Sequence, residues 1–565
     1  MMVQYRFMAL AALAVTAVTG KISVQVHRNL EVANQSNVVV QFYSDEALAT
    51  HRRRLKGGAS RTEIIKSLVD LLKEHTTTSQ ASVKSLLANQ VESTAVEVGT
   101  TWIDSSMYIN NAPTDIVQKI AALPEVKSIY ESVVMELGET KSDDEPANAV
   151  VNEAIEWGVK KIQAPALWAK GIKGDGIVVA NIDTGVRHTH ESLKSNWRSE
   201  YGWFDPYNKT ELPNDAEGHG THVMGTMVGT NGIGVAPHAK WIACKGCSGR
   251  LCNQRKVVEC GQFLLCPHDN DGKKCDPSKA PHVINISIGK HTKKFWLEDT
   301  ITMWREAGII PVFPNGNDGL KGCAYSDYPA GSPQVIAVGN TDSNDFLAFD
   351  SSLGPFGKRG KPDISAPGVR IRSAVHSSND GFSWRSGTSM STPHVSGAIA
   401  LYLSANKGAS YDQVYAALTE NVDTDTLSPP DKTCGGIPNT QYPNNLFGYG
   451  RLNIFKAVAA SIPGLTLPPP SKSAQVLNPT NDLSTCGTLE VNTNYIGGDL
   501  ASANLATAES CCAECKKTPG CKLFVWYNLN GGLCRLKDTQ GPKVTVDGAK
   551  AGVLPAPALA RPPLF

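Results

Sequence analysis

The chain has 565 residues, with 54 lysines and arginines against 53 aspartates and glutamates, and 14 cysteines. That length exceeds one ordinary domain and calls for two or three folded units. A formal net charge of +1, with both signs mixed along the chain, argues against a nucleic-acid partner or a polybasic membrane anchor.

Residues 1–20 read as a secretory signal peptide. Arg6 supplies the positive start, Phe7 to Val18 form an apolar run too short to span a bilayer, and the small residues Ala17, Thr19 and Gly20 follow. Residues 21–145 read as a small α+β module. Val38–Phe42 has the composition of a strand. Ser60 and Glu63 have capping-box spacing ahead of a helix whose apolar face is Ile64, Ile65, Leu68, Val69, Leu71 and Leu72. A second helix is predicted over Asp115–Leu123 and a short strand over Val126–Tyr130. The basic run Arg52–Arg54 reads as a solvated charged face rather than a processing site, and Asp143–Pro146 as an exposed linker.

Residues 150–460 read as a large α/β domain. Ile177–Ile182, Val283–Ile288, Ile309–Phe313 and Val335–Val338 are short apolar runs separated by helical patterns, which suits a parallel sheet buried on both faces. Ligands in such folds sit beyond the carboxyl ends of strands, so polar residues placed there are the candidates for chemistry. Residues 462–485, with Pro468–Pro470, read as a linker. Residues 486–554 form a compact cysteine-dense unit, and 555–565 a disordered tail of prolines and small apolar residues.

The cysteines fall into two even clusters, as expected for disulfides in a secreted chain. The first is Cys244, Cys247, Cys252, Cys260, Cys266, Cys275, Cys323 and Cys434. The second is Cys486, Cys511, Cys512, Cys515, Cys521 and Cys534. Spacing leaves their connectivity open. Cys244/Cys247 and Cys512/Cys515 also have CxxC spacing, but no second matching pair supports a zinc site.

Three segments carry groups for acyl transfer. This chemistry needs a nucleophile, a base within hydrogen-bond reach, an acid to fix the tautomer of the base, and donors for an oxyanion. Asp183 directly follows an apolar strand, in Asp183-Thr-Gly185. His219 lies between glycines at an expected helix start, in Gly218-His219-Gly220-Thr221-His222-Val223. Ser389 opens an expected helix in Gly387-Thr388-Ser389-Met390, where the free N–H groups of the first turn favour developing negative charge. Taken singly, each has a plain reading: a turn, a metal-type His-x-x-His pair, an N-cap.

Together these segments resemble the signatures of the subtilisin family (subtilases), in that family's order of acid, base and nucleophile, over residues 155–460. The resemblance implies a three-layer α/β domain with a mostly parallel central sheet, and a serine endopeptidase acting through Asp183, His219 and Ser389. Asn317, in Asn315-Gly316-Asn317-Asp318-Gly319, matches the oxyanion-hole asparagine. Trp157-Gly-Val159, Gly234-Val-Ala-Pro237 and Ile364-Ser-Ala-Pro-Gly-Val369 are most similar to the bacillopeptidase F group; the cysteine-rich insert from Cys244 to Cys275 departs from it.

The match implies that Ser287, Ile288 and Gly289 form an edge pairing with extended substrate, and that Pro314, Asn315 and Gly316 wall the primary specificity pocket. Asp327 falls at that pocket's floor, which raises a preference for Lys or Arg before the cut against a broad apolar pocket. Residues 21–145 match an inhibitory pro-segment, self-cleaved between about Gly138 and Ala149. The C-terminal unit resembles an Apple/PAN module through Cys486, Tyr495, Gly498-Asp499-Leu500, Cys511-Cys512, Cys515, Gly520-Cys521, Phe524, Trp526 and Cys534, which implies a protein or carbohydrate ligand.

No cofactor is needed for this chemistry; structural calcium occurs in many relatives and stays unassigned. The expected partners are protein substrates and the chain's own pro-segment, on a secreted monomer with no membrane or nucleic-acid role. Asn34-Gln-Ser36 and Asn208-Lys-Thr210 are glycosylation sequons, and Asn285-Ile-Ser287 should be inaccessible. The rival readings are a secreted adhesin with an inactive protease scaffold and, more weakly, a metallohydrolase on His219 and His222. The presence of all four catalytic-type residues disfavours the first.

Overall fold

The computed structural model describes residues 20–54, 58–88, 97–138, 141–142, 155–292, 294–467, 489–495, 499–505, 507–527, 532–541 and 543–554. The predicted signal peptide up to residue 19, most of the predicted linker, Cys486 and the tail lie outside them.

The N-terminal module is a four-stranded antiparallel sheet in the order β2-β3-β1-β4: β1 (Gln35–Phe42), β2 (Val98–Thr101), β3 (Ser106–Pro113) and β4 (Val126–Tyr130). Helix α1 (Val24–Ala33) precedes it, capped by Ser23, whose side chain accepts from Val26 N. Helix α2 (Arg61–Ser79) opens with the predicted capping box: Ser60 accepts from Glu63 N, and the Glu63 carboxylate from Ser60 N. Its Ile65, Leu68, Val69, Leu71 and Leu72 are buried, while Ile64 is partly exposed. Helix α3 (Thr114–Ala121) matches the second predicted helix.

The module shares a core with the α/β domain. Ile65, Leu68, Val69, Leu72, Ile103, Val133, Met135 and Leu137 belong to the same buried cluster as Ile182, Phe263, Trp304 and Phe313. Each such side chain contributes roughly 1.5–3 kcal/mol when fully removed from water. Polar ties join the same surfaces. Arg61 Nη1 donates to Ala280 O at 3.2 Å, Gln41 Nε2 to Asp299 Oδ2 at 2.5 Å, and Val133 N to Gln254 Oε1 at 3.0 Å. Arg52 pairs with Glu306, so part of the basic run grips the neighbouring domain.

The α/β domain is built on seven parallel strands in the order β15-β14-β13-β12-β7-β9-β8. They are β7 (Val178–Asp183), β8 (Trp203–Phe204), β9 (Lys240–Lys245), β12 (Val283–Asn285), β13 (Ile310–Pro314), β14 (Ile336–Thr341) and β15 (Ile364–Pro367). Nearly every residue of these strands is buried, which is why the runs read as continuously apolar. Helices α4 (His219–Val228) and α7 (Thr388–Ala405) pack against each other and against the sheet. Helices α5 (Gln254–Leu265) and α6 (Glu298–Glu306) supply residues to the buried cluster shared with the N-terminal module.

Two small antiparallel sheets flank the domain. In one, β10 (Cys247–Ser248) and β11 (Leu251–Asn253) pair with β5 (Val134–Glu136). In the other, β16 (Ile371–Ala374) and β17 (Phe382–Ser386) pair with β6 (Lys141–Ser142).

All eight cysteines of the first cluster pair within it: Cys244–Cys260, Cys247–Cys252, Cys266–Cys275 and Cys323–Cys434. The CxxC pair Cys244/Cys247 is thus divided between two bridges. Among the described residues, no helix is long and apolar enough to cross a membrane.

Apart from residues 344–349 and 426–430, the described chain up to Thr466 is one compact unit; those two stretches group with the residues from Leu467 onward. The C-terminal part holds a five-stranded antiparallel sheet, β18 (Glu490–Tyr495), β22 (Lys543–Val553), β20 (Leu523–Tyr527), β21 (Leu533–Lys537) and β19 (Asp499–Asn504) in that order, with helix α8 (Ala508–Lys517) against β20. Cys511–Cys534 and Cys515–Cys521 staple it around Phe524 and Trp526, and Cys512 is also disulfide-bonded.

Candidate active site

The site lies at the carboxyl ends of β7, β12 and β13, where an open parallel sheet presents its ligands. Asp183 is the last residue of β7, and its carboxylate takes His219 Nδ1 at 2.8 Å through Oδ1 and 3.0 Å through Oδ2. Both side chains are almost fully buried, so the attraction acts in a low-dielectric setting. The carboxylate therefore keeps the proton on Nδ1 and leaves Nε2 free to accept one.

His219 is the first residue of α4. Its loop is held by Asp215, whose Oδ1 accepts from Glu217 N and Gly218 N, and whose Oδ2 accepts from Thr221 N and Thr221 Oγ1. Thr184 Oγ1 accepts from Gly220 N, and Asn181 Nδ2 donates to Gly220 O. Gly220 is required here, because a Cβ would stand 2.2 Å from Gly185 O and 3.0 Å from Asp183 Cβ. His222 faces away: its Nε2 lies 3.0 Å from Ile371 O and 3.2 Å from Ser383 O, and it is buried. Burial, with Arg385 and His219 nearby, holds its imidazole well below the ordinary histidine range, so it is a neutral donor to the β16–β17 hairpin.

Ser389 is the second residue of α7, which starts one residue earlier than the sequence suggests. A buried relay fixes its backbone. Ser396 Oγ donates to Asn285 Oδ1 at 2.9 Å, Asn285 Nδ2 to Ser287 Oγ at 3.0 Å, and Ser287 Oγ to Ser389 O at 3.2 Å. The Ser389 hydroxyl rests on Ser287 O at 3.4 Å, and among the described residues His219 Nε2 has no hydrogen-bond partner. The structure thus makes the acid–base bond but not the base–nucleophile bond. A serine hydroxyl is a rotor, and catalytic hydrogen bonds often tighten only around bound substrate.

Asn317 Oδ1 accepts from Thr388 N at 3.0 Å and Thr388 Oγ1 at 2.7 Å, which turns its Nδ2 toward the residues beside Ser389. A Cβ at Gly387 would stand 3.2 Å from that nitrogen, and one at Gly138 would stand 3.3 Å away. Gly138, near the end of the N-terminal module, therefore lies beside the candidate oxyanion donor.

Ser287, Ile288 and Gly289 run on from the end of β12, with Ser287 touching Ser389 as described. Two other strands of the domain pair with the segment that ends the N-terminal module, β11 with β5 and β17 with β6. β11 lies in the cysteine-rich insert, where Cys247–Cys252 closes the β10–β11 hairpin. Pro314 ends β13; Asn315 Nδ2 donates to Ser352 O at 2.6 Å, while its Oδ1 is buried with no hydrogen-bond partner among the described residues, and Gly316 follows. Asn285 of the third sequon is buried, as expected. Among the described residues no group of three or more His, Cys, Asp or Glu is placed to hold a metal, and no calcium site is assigned.

Comparison with known proteins agrees with this geometry. The Subtilase family matches residues 174–450 and the PAN domain matches residues 493–537. The chain is 34% identical over 484 residues to Bacillopeptidase F of Bacillus subtilis (strain 168), covering 80% of this chain and 33% of that protein, so it spans about a third of that relative's length. It is 32% identical over 307 residues to M-protease of Shouchella clausii (strain KSM-K16), covering 53% of this chain and 69% of the relative. It is 33% identical over 268 residues to Subtilisin BL of Lederbergia lenta, covering 46% and 89%. With an ordered acid–histidine pair, a serine at a helix start and an asparagine beside it on a seven-stranded parallel sheet, the chain belongs to the subtilase family of serine endopeptidases and carries a PAN domain near its C-terminus.

Proposed function

We propose that the chain is a secreted serine endopeptidase made as a zymogen, with the N-terminal module from residue 21 as its inhibitory pro-segment, cleaved off within residues 138–149. The observation that carries this reading is the pairing of residues 134–136 and 141–142. Ahead of Gly138, which lies beside Asn317 Nδ2, β5 pairs with β11 in register Met135 to Cys252; after it, β6 pairs with β17 in register Ser142 to Arg385. Leu137 N also donates to Arg250 O at 2.8 Å, and Arg250 Nη2 to Leu137 O at 2.5 Å. Pairing of a chain on both sides of a reactive centre is how an extended peptide is held by a protease cleft.

In the proposed reaction, Ser389 Oγ gives its proton to His219 Nε2 and attacks the carbonyl carbon. The oxyanion is met by Asn317 Nδ2 and the Ser389 backbone N–H. His219 then protonates the leaving amine, and water, activated by the same imidazole, hydrolyses the acyl-enzyme. Side chains alone supply this chemistry, and no cofactor enters. The disulfides and the signal-peptide-like start support secretion. The PAN domain is proposed to target the enzyme to a protein or carbohydrate.

Expression of the full chain should give a mature form whose new N-terminus is Glu139, Thr140 or Lys141, because the paired strands bracket the bonds between 138 and 141. N-terminal sequencing and intact mass read this directly. A mature form starting before Val134 or after Ser142 would overturn the proposed path, and a chain that never matures would count against the zymogen reading.

A further inference from the structure

The end of the N-terminal module meets Arg250 of the cysteine-rich insert through both main chain and side chain. Arg250 stands in the turn between β10 and β11, a hairpin tied by Cys247–Cys252. Its carbonyl accepts from Leu137 N at 2.8 Å, and its Nη2 donates to Leu137 O at 2.5 Å. Its Nε faces Glu136 Oε1 at 3.8 Å. The main-chain contacts would form with any residue but proline in the place of Leu137. The contact of Nε needs a carboxylate one residue earlier.

The guanidinium is held from its other side. Nη1 lies 3.6 Å from Glu217 Oε1, and Glu217 Oε2 accepts from His219 N at 2.7 Å, which ties the group to the loop that carries the base. Glu217 is shared. Arg385 Nη1 lies 3.8 Å from its Oε2, and Arg385 Nη2 donates to its carbonyl at 3.5 Å. Two guanidinium groups thus face one carboxylate of the catalytic domain, and among the described residues Glu136 is the other carboxylate that meets them. Release of the N-terminal module would remove Glu136 and leave surplus positive charge on a cross-linked turn. Arginine has five N–H donors in a fixed fork, so it can hold a main-chain carbonyl and a carboxylate together. None of these groups belongs to the pocket of Gly289, Gly316 and Asp327, where Cβ atoms at the two glycines would lie 3.1 and 2.7 Å from Asp327 Oδ2.

Resting on the zymogen reading above, in which the end of the N-terminal module lies in the cleft as an extended substrate would, we propose that Arg250 is a specificity-determining residue. It favours aspartate or glutamate at the substrate position that Glu136 takes, two residues ahead of the one beside Asn317 Nδ2. The Arg250 and Glu136 side chains are 36% and 69% exposed, so solvent screens the pair and the preference is about two- to fivefold. It weakens as salt is added, because an exposed pair is screened by mobile ions.

The test uses the mature enzyme and a peptide of the chain's own residues 132–146, made also in Glu136→Gln and Glu136→Lys forms. Mass spectrometry locates the cut, and kcat/KM is read for cleavage between residues 138 and 141. Ratios between peptides cancel the main-chain contacts, which all three share. The native peptide should be cut about two- to fivefold better than the Glu136→Gln form at low salt, with the Glu136→Lys form slowest and the differences nearly gone at about 1 M salt. In Arg250→Ala all three should slow by a similar factor and their ratios approach one, whereas Arg250→Lys should keep the order. Arg250→Glu should reverse it, making the Glu136→Lys peptide the best substrate. The wild-type ratios and their salt dependence stand by themselves if a variant fails to fold. A wild-type ratio of one or less at low salt, or a ratio unmoved in Arg250→Ala, overturns the assignment of Arg250 and leaves the endopeptidase intact. An enzyme that hydrolyses casein but cuts none of the peptides between residues 138 and 141 overturns the proposed path of the segment, and this inference with it. No hydrolysis of casein overturns the proposed reaction itself.

Discussion

Ser389→Ala is expected to remain full length on expression and to lose casein hydrolysis by on the order of a millionfold in kcat, a magnitude established on a subtilisin. The loss is this large because, in the proposed reaction, the hydroxyl forms the covalent intermediate. The serine side chain is small and its one hydrogen bond, to Ser287 O at 3.4 Å, is long, so folding should be unaffected. The backbone relay from Ser396 through Asn285 and Ser287 ends on the Ser389 carbonyl, which alanine keeps. A gel of wild type and variant expressed side by side reads both consequences. If the variant matures and cleaves like the wild type, Ser389 is not the nucleophile.

Asp183→Asn should cost about ten-thousandfold in kcat with KM little changed. The carboxylate accepts from His219 Nδ1 at 2.8 Å, which leaves the Nε2 lone pair for the serine proton. An asparagine in the same place can donate its amide N–H to Nδ1 instead. The proton then sits on Nε2, and the imidazole can no longer act as base. The variant also loses the negative charge that stabilises the imidazolium in a buried setting. Steady-state kinetics on the processed enzyme, obtained by trimming the variant with wild-type protease, separates this loss from slow maturation. A fall of less than about tenfold would mean that the acid does not set the tautomer.

The sheet was legible because its strands are buried on both faces. Four of the seven parallel strands were readable as apolar runs, offset by a residue or more. The strands β9 and β15 do not read as apolar runs, because lysine and cysteine interrupt the first and serine and proline the second. The two-residue β8 has no periodicity to read. The helix of Ser60–Glu63 was readable from its cap, whereas α1 was not, since only Val26 and Leu30 of its ten residues are buried and make a weak face.

The pairing made by the cysteine-rich insert was not legible. The β10–β11 hairpin is held by a disulfide across five positions rather than by alternating apolar residues, so nothing in the sequence marks β11 as an edge that β5 joins. Nor does spacing show that the Asn315 amide turns to Ser352 O, on a loop 37 residues away. Asp215 supplies four hydrogen bonds to the loop carrying His219; the one sequence signal for it was an acid four residues before a histidine, too common to use.

In the proposed reaction Ser389 is the nucleophile and His219 the base that activates it. Labelling of the mature enzyme with a fluorophosphonate, followed by mapping of the modified peptide, should give one adduct per chain, on Ser389, with activity lost in step with labelling. Complete inactivation with the adduct on another residue, or full activity after exhaustive treatment, would contradict it.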